Sequence, residues 1–389
     1  MTRLVHAITP GDHYSPRTGS AIPTVVHGLA GAAAADHVHP SYEQFVALQA
    51  GTYQPRYDSA EAIEFTGVSA PDRNERLLDA ALGVFGRPRR AAARYFQPLA
   101  DALSSLPASV VLAHNAPILP WLLRDSKHDV VLYAHNDILR SMTAYESARA
   151  LDSVRAIVCV SESLAGQLRP HLPRALRERI RVVVNGVDTV QFSPGSPRVA
   201  ARHRVRVMFV GRMIEQKGPD VLLRAAALLG RDDIEVELVG SAGFDSAASL
   251  TPYERRLRDL AAQCSVPVTF RPFVARPELP ELLRSADIVI IPSRWQDPCP
   301  LTVGEALASG AAVIAHRVGG IPEIVGTAAI LVDNDAPAEL AAAIGRLADD
   351  PQQRSDFSAA ARAQAESHDW SWAWSHLRAV LDDVTRVTA

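Results

Sequence analysis

The sequence predicts an α/β protein of two domains, each a parallel sheet flanked by helices. Short β-branched apolar runs at 110–113, 130–134, 156–160, 205–210, 234–240 and 286–292 recur between helix-period stretches, as in parallel sheets covered on both faces. A chain of 389 residues is long for one core and comfortable for two. A stretch rich in Pro, Gly and charge, 193–204, falls near the middle and marks a linker.

Composition removes several function classes. With 21% charged residues and a net charge of -3, the chain has no broad basic field, so no nucleic-acid partner is expected. Cys159, Cys264 and Cys299 stand singly, which fits neither a disulfide framework nor a C-x-x-C metal site and points to a reducing compartment. Cys299 reads as a small apolar filler. No run approaches the ~20 apolar residues that span a bilayer, and the first apolar stretch is too short for a signal peptide. The expected location is cytoplasmic, with a peripheral membrane contact left open.

In order, residues 5–8 read as the first strand, and Arg17 to Ser20 turn the chain into an amphipathic helix. Gly19 and Ser20 then sit at its N-terminus, where free N–H groups make an anion site, although an ordinary glycine turn and serine cap fit equally. From 35 to 107 signals are few: a strand at 62–68, then helix pattern over 76–106 with Arg87, Arg89, Arg90 and Arg94. Such a cluster is ordinarily a solvated face; contact with an anionic acceptor or a lipid headgroup is the alternative. The strands at 110–113 and 130–134 each lead into a histidine, His114 and His135, and the carboxyl ends of parallel strands are where ligands bind. The strand at 156–160 runs into a helix capped by Ser161, and the strand at 180–184 into Asn185 and Gly186.

In the second half, the strand at 205–210 is followed by Gly211, Arg212 and Lys217, two cations at a strand's carboxyl end. They suit a diphosphate, although a solvated loop would look the same. Next come the strand at 234–240, closed by Gly240 and Gly243, a helix over 252–264, the strand at 268–271 with Phe273 and Val274 after it, and a helix over 277–285. The most informative stretch follows the strand at 286–292: Asp297 on a loop punctuated by Pro298 and Pro300, then a helix from Leu301 and Thr302 through Glu305 to a Gly310 cap. A strand at 312–316, Gly319 and Gly320, and helices over 337–348, 351–366 and 370–387 complete the chain.

Residues 295–310 read W-Q-D-P-C-P-L-T-V-G-E-A-L-A-S-G, and this segment resembles the E-x7-E segment of retaining GT-B glycosyltransferases of family 4. Asp297 stands where that family commonly has its first Glu, eight positions before Glu305. The resemblance extends over about 156–332, including the G-R-x4-K-G segment from Gly211, the Asn185–Pro194 segment and the pair Gly319–Gly320, and reaches 1–30 and 108–137. It implies the GT-B architecture: two Rossmann-like domains facing each other across a cleft, one of residues 1–194 with the terminal helix 370–389 crossing back, the other of 203–369. It implies a nucleotide-sugar donor, with UDP to be tried beside GDP, ADP and dTDP because the base is left open, and an acceptor left open among saccharides, lipid-linked sugars and small molecules. Carried over residue by residue, Arg212 and Lys217 contact the diphosphate beside Gly211, and Asp297 holds sugar hydroxyls. Glu305 takes the ribose, and Phe273 and Val274 lie at the base. His114 lies against the transferred sugar with His135 near it. Gly19, Gly240, Pro300, Leu301 and Thr302 complete the donor-binding set, and Gly319 and Gly320 let backbone approach the sugar. No metal cradle is evident in the site segments, so no cofactor and no metal is expected, and protein cations take that role.

Three rivals share the architecture. A nucleotide-sugar epimerase would release product without an acceptor. A dinucleotide oxidoreductase would need G-x-G-x-x-G after the first strand, which is absent. A non-catalytic sugar-binding module would have no reason to keep both cations.

Overall fold

The computed structural model describes residues 1–39, 42–195 and 204–386. The chain divides into two compact units, Met1–Asn185 with Trp370–Ala389, and Gly186–Asp369. Residues 186–194, expected with the first unit, belong to the second. Their apolar side chains explain the difference: Phe192 is 1% exposed within a core of the second unit, and Val187 bridges to Asp369. The linker expected at 193–204 lies largely outside the described residues.

The first unit holds seven parallel strands: β1 Thr2–Ala7, β2 Tyr42–Gln49, β3 Glu61–Phe65, β4 Val110–His114, β5 Asp129–Ala134, β6 Ala156–Cys159 and β7 Ile180–Val182. Their order is β3-β2-β1-β4-β5-β6-β7, so the winding reverses between β1 and β4. Strand β2 was not foreseen. Its first half, Tyr-Glu-Gln, is polar, and only Phe45 to Leu48 form a continuous buried run. The helical pattern over 76–106 resolves into two helices, Arg73–Val84 and Arg90–Ser104, the first opened by a capping box between Asp72 and Glu75. The terminal helix Trp370–Arg386 packs on the helix Ala21–Ala35 of this unit, where Gly28 makes room for an indole: a Cβ there would lie 2.2 Å from the Trp370 ring. Tyr42 donates to Asp382 at 2.9 Å and Trp374 to Asp36 at 3.2 Å, fastening the returning helix.

The second unit holds six parallel strands: β8 Val205–Val210, β9 Ile234–Val239, β10 Val268–Arg271, β11 Ile288–Ile291, β12 Ala312–His316 and β13 Ala329–Val332. Their order, β10-β9-β8-β11-β12-β13, reverses between β8 and β11. Alternate residues feed two cores, one on each face. Val207, Phe209, Ile288 and Ile290 enter one, and Met208, Val289 and Ile291 the other. Each such side chain contributes roughly 1.5–3 kcal/mol by leaving water, so the sheet is a rigid platform for the loops at its carboxyl edge. Ligands of open parallel sheets bind where the winding reverses.

Candidate functional site

The loops after β8 and β11 meet at the reversal point of the second unit. Lys217 ends the short helical turn Glu215–Lys217, and Gly218 follows at φ +69°. A Cβ on Gly218 would lie 2.0 Å from the Pro292 carbonyl oxygen, so only glycine lets this loop rest on the end of β11. Lys217 thereby reaches Asp297, and the two form an ion pair in which Asp297 is 4% exposed. The ammonium also stands 5.7 Å from the Trp295 ring centroid. Glu305, inside the helix Leu301–Ala308, is buried as well and pairs with Arg276 at 2.6 Å. Both carboxylates of the acidic pair are thus buried against a cation, the condition for keeping charge in a site largely closed to water. Arg276 was missed by sequence reasoning; its one signal was a cation at the carboxyl end of β10. Arg212 is exposed, and its guanidinium has no acidic partner among the described residues.

The surrounding loops are tied to one another. Gly211 donates to Val239 O at 3.0 Å, Gly240 to Arg271 O at 2.9 Å, and Phe273 to the Ser241 hydroxyl at 3.1 Å, while Phe273 meets Phe244 edge-on. Val274 packs against the core beneath. Pro300 precedes the helix bearing Glu305 without a capping side chain, so the first-turn N–H groups at Leu301 and Thr302 are left for another acceptor. Gly319 was expected to let backbone approach a sugar. It lets backbone approach Asp297: at φ +57°, a Cβ there would lie 2.1 Å from Asp297 O. Gly320 donates to that same oxygen at 2.9 Å and Gly319 to Gln296 Oε1 at 2.9 Å, clamping the loop that carries Asp297. Behind it, Arg294 bonds Asp220 at 2.6 and 2.7 Å and Asp335 at 2.8 Å. Burial opposes the charged form of Asp220, but the bonds from Arg294 and Tyr253 outweigh it and hold this carboxyl down at about 2.

In the first unit, three histidines form a buried chain. His6 Nδ1 lies 3.0 Å from His114 Nε2, and His114 Nδ1 lies 2.8 Å from His135 Nε2. The rings stack in sequence, with Tyr133 against both His114 and His135. His6 Nε2 faces Gln44 Oε1 at 3.1 Å, and the Gln44 amide nitrogen donates to Tyr42 O at 3.3 Å. That arrangement orients the whole chain. Because Gln44 Oε1 only accepts, neutral His6 donates from Nε2 and accepts at Nδ1 from His114; His114 in turn accepts at Nδ1 from His135. The outermost nitrogen, His135 Nδ1, is left with a lone pair and no partner among the described residues. His114, expected to carry the greater weight, is 0% exposed with both ring nitrogens engaged, whereas His135 is 8% exposed. His6 and Gln44 were missed, because their partnership depends on β2. Gly19 is exposed at the start of the helix Ala21–Ala35, and Ser20 bonds Asp12 at 3.2 Å instead of capping that helix.

Burial lowers all three imidazoles below their usual range, His6 to about 4 against the bond from Gln44, and His135 to about 3; neighbouring histidines lower His114 further. The sign follows. Above pH 6.5 both folded and unfolded chains carry these rings neutral, and the stabilising contribution is complete. As pH falls from 6.5 toward 4, the unfolded chain takes a proton that folded His6 refuses, and of the order of 3 kcal/mol is lost. Urea unfolding at pH 7 and pH 4.5 should therefore show His6→Gln losing about 2 kcal/mol less on acidification than the unmodified chain does. Parallel losses would mean that the chain is not held neutral.

Two family models match the chain: glycosyl transferases group 1 over residues 199–364, and glycosyltransferase family 4 over residues 53–191. The D-inositol 3-phosphate glycosyltransferase of Corynebacterium kroppenstedtii is 36% identical over 226 residues, which are 54% of this chain and 49% of that protein. The chain thus spans about half the length of such curated relatives. Spore coat protein SA of Bacillus subtilis is 28% identical over 69% of this chain and 76% of its own length. Among solved structures, Anabaena HepE in complex with UDP and glucose superposes with a TM-score of 0.71 at 17% identity, covering 98% of this chain and 100% of that one. Sucrose-phosphate synthase from Thermosynechococcus elongatus gives 0.74 at 18% identity, covering 100% of each. These likenesses establish the GT-B fold, and the epimerase reading gains nothing from the relatives' names.

Proposed function

We propose that the chain, which matches the glycosyl transferases of group 1 over residues 199–364 and glycosyltransferase family 4 over residues 53–191, moves a sugar from a nucleotide-sugar donor to an acceptor hydroxyl, with retention at the anomeric carbon and without a divalent metal. The observation that carries this is the Lys217–Asp297 ion pair, its carboxylate buried, at the reversal point of the second sheet, on the same loop as Arg212, which has no acidic partner among the described residues. As the bond from the anomeric carbon to phosphate breaks, the nucleoside diphosphate leaves with the electron pair, and its growing charge meets Lys217 and Arg212. Asp297 then accepts from sugar hydroxyls, a charge-assisted contact that fixes the sugar's orientation. Glu305, held by Arg276, accepts from the ribose, and the loop at Phe273 and Val274 faces the base. Gly211 and Gly240 set the loop ends against which the donor lies, and the N–H groups at Leu301 and Thr302 after Pro300 add neutral donors. On the first unit, the sugar-facing role expected of His114 falls to His135 Nδ1, with His114 and His6 positioning it, and Gly19 opens a helix terminus suited to an anion.

HepE binds UDP and glucose, so UDP-sugars are the donors to try first, and the relatives' names put D-inositol 3-phosphate on the acceptor panel. With a strong chelator present, nucleotide release should continue unchanged, and the product should keep the donor's anomeric configuration by NMR. Release that stops with chelator and returns with added metal would overturn the metal-free reading; an inverted product would overturn retention.

A further inference from the structure

We propose that the first unit holds a binding pocket for an acceptor with an apolar body and an anionic phosphate or carboxylate group. A cavity of about 700 Å³ opens at the carboxyl edge of the sheet, reached by Thr9 after β1, Ile118 after β4 and Ile138 after β5, and walled by Tyr95, Phe96 and Trp121. Its volume is that of a small-molecule site, and its lining is chiefly apolar. Six arginines line it, and four of these come from three separate elements: Arg73 and Arg76 from the helix Arg73–Val84, Arg87 from the turn after it, and Arg140 from the loop after β5. All four are exposed, and none has an acidic partner among the described residues.

The acids that reach the same lining are already engaged. Glu146 pairs with Arg89, and Asp79 accepts the N–H groups of Ala91 and Ala92 at 3.2 and 2.9 Å, which also fills the N-terminus of the helix Arg90–Ser104. The cavity therefore carries uncompensated positive charge around an apolar interior, and an organic anion satisfies both. It is also fixed in shape. Arg89 bonds Ser141 O at 2.6 Å and the Ser141 hydroxyl at 3.0 Å, pinning the loop that bears Arg140 to the turn that bears Arg87. Of the arginine cluster visible in the sequence, Arg89 is thus a strut and Arg94 pairs with Glu75 at 2.7 Å, while Arg87 faces the cavity.

Naming the ligand an acceptor rests on the transferase reading; the pocket itself does not. The test is calorimetry on the full chain with 1-naphthyl phosphate, against 1-naphthol and inorganic phosphate separately. The probe should bind at least tenfold more tightly than either part. The double variant Arg76→Glu with Arg87→Glu should weaken the probe at least tenfold, and Ala80→Trp, which fills the cavity, should do so at unchanged charge. Inorganic phosphate binding as tightly as the probe, or a probe indifferent to the charge reversal, would overturn the pocket. So would capture of the chain by phosphatidylglycerol vesicles with no binding of the probe. Protection of the same samples by UDP, GDP, ADP or dTDP against thermal unfolding separates the two claims: protection by any of them without probe binding sinks the pocket alone, and probe binding without protection by any of them sinks the transferase reading alone.

Discussion

Lys217→Ala is expected to lower sugar transfer by roughly 10²–10³-fold, the loss that follows removal of one well-placed group facing developing negative charge. It should also destabilise the fold, because Asp297 is 4% exposed and would lose the cation it is paired with. With the Lys217 side chain 21% exposed, water offsets part of that loss, so the cost should be about 1–3 kcal/mol, less than for a fully buried pair. The two effects separate in a double variant. Adding Asp297→Asn removes the stranded charge and should restore most of the stability while leaving transfer no higher than in Lys217→Ala. Turnover and urea unfolding of the two single variants and the double would decide. Full activity in Lys217→Ala would reassign this lysine to a structural pair, and a stability loss that Asp297→Asn fails to recover would mean that Lys217 packs rather than pairs.

Asp297→Asn alone should lower transfer by about 10–100-fold, since a neutral amide gives up the charge-assisted contacts and leaves Lys217 unpaired. Asp297→Glu is the more discriminating change. The loop cannot retreat to make room for the extra methylene, because Gly319 and Gly320 hold the Asp297 backbone, and Pro298 and Pro300 restrict the bend. The longer carboxylate should therefore project further into the donor site and change which UDP-sugar is preferred, while the pair with Lys217 survives. Rates across a donor panel measure this. Unchanged rates and preference in both variants would place the acidic pair outside the chemistry.

The parts of this molecule that could be read from sequence are those whose signal is local. Strands such as Ile288–Ile291 announce themselves by β-branched runs, and the order of cations after β8 and acids after β11 survives in the linear sequence. What stayed hidden depends on contacts distant along the chain. Strand β2 begins with polar residues because Gln44 serves His6, so the position that orients the histidine chain is also the one that disguises the strand. The ion pair of Arg276 with Glu305 joins residues 29 positions apart, and nothing near either one indicates the other. Residues 186–194 precede a linker-like stretch and so read as the end of the first unit, yet Phe192 is buried in the second. The arginines of the cavity are spread from 73 to 149, and only folding shows that Arg87 keeps company with Arg140 while Arg89 ties their two loops together.

The most direct test of the central claim, that Lys217, Arg212 and Asp297 frame a diphosphate site needing no metal, is protection of the chain by UDP against unfolding in the presence of chelator. At about 100 times its dissociation constant, UDP should stabilise the unmodified chain by about 2.7 kcal/mol. The Lys217→Ala chain should lose most of that protection at the same concentration. Equal protection of both chains, or protection that appears only when a divalent metal is added, would contradict the account.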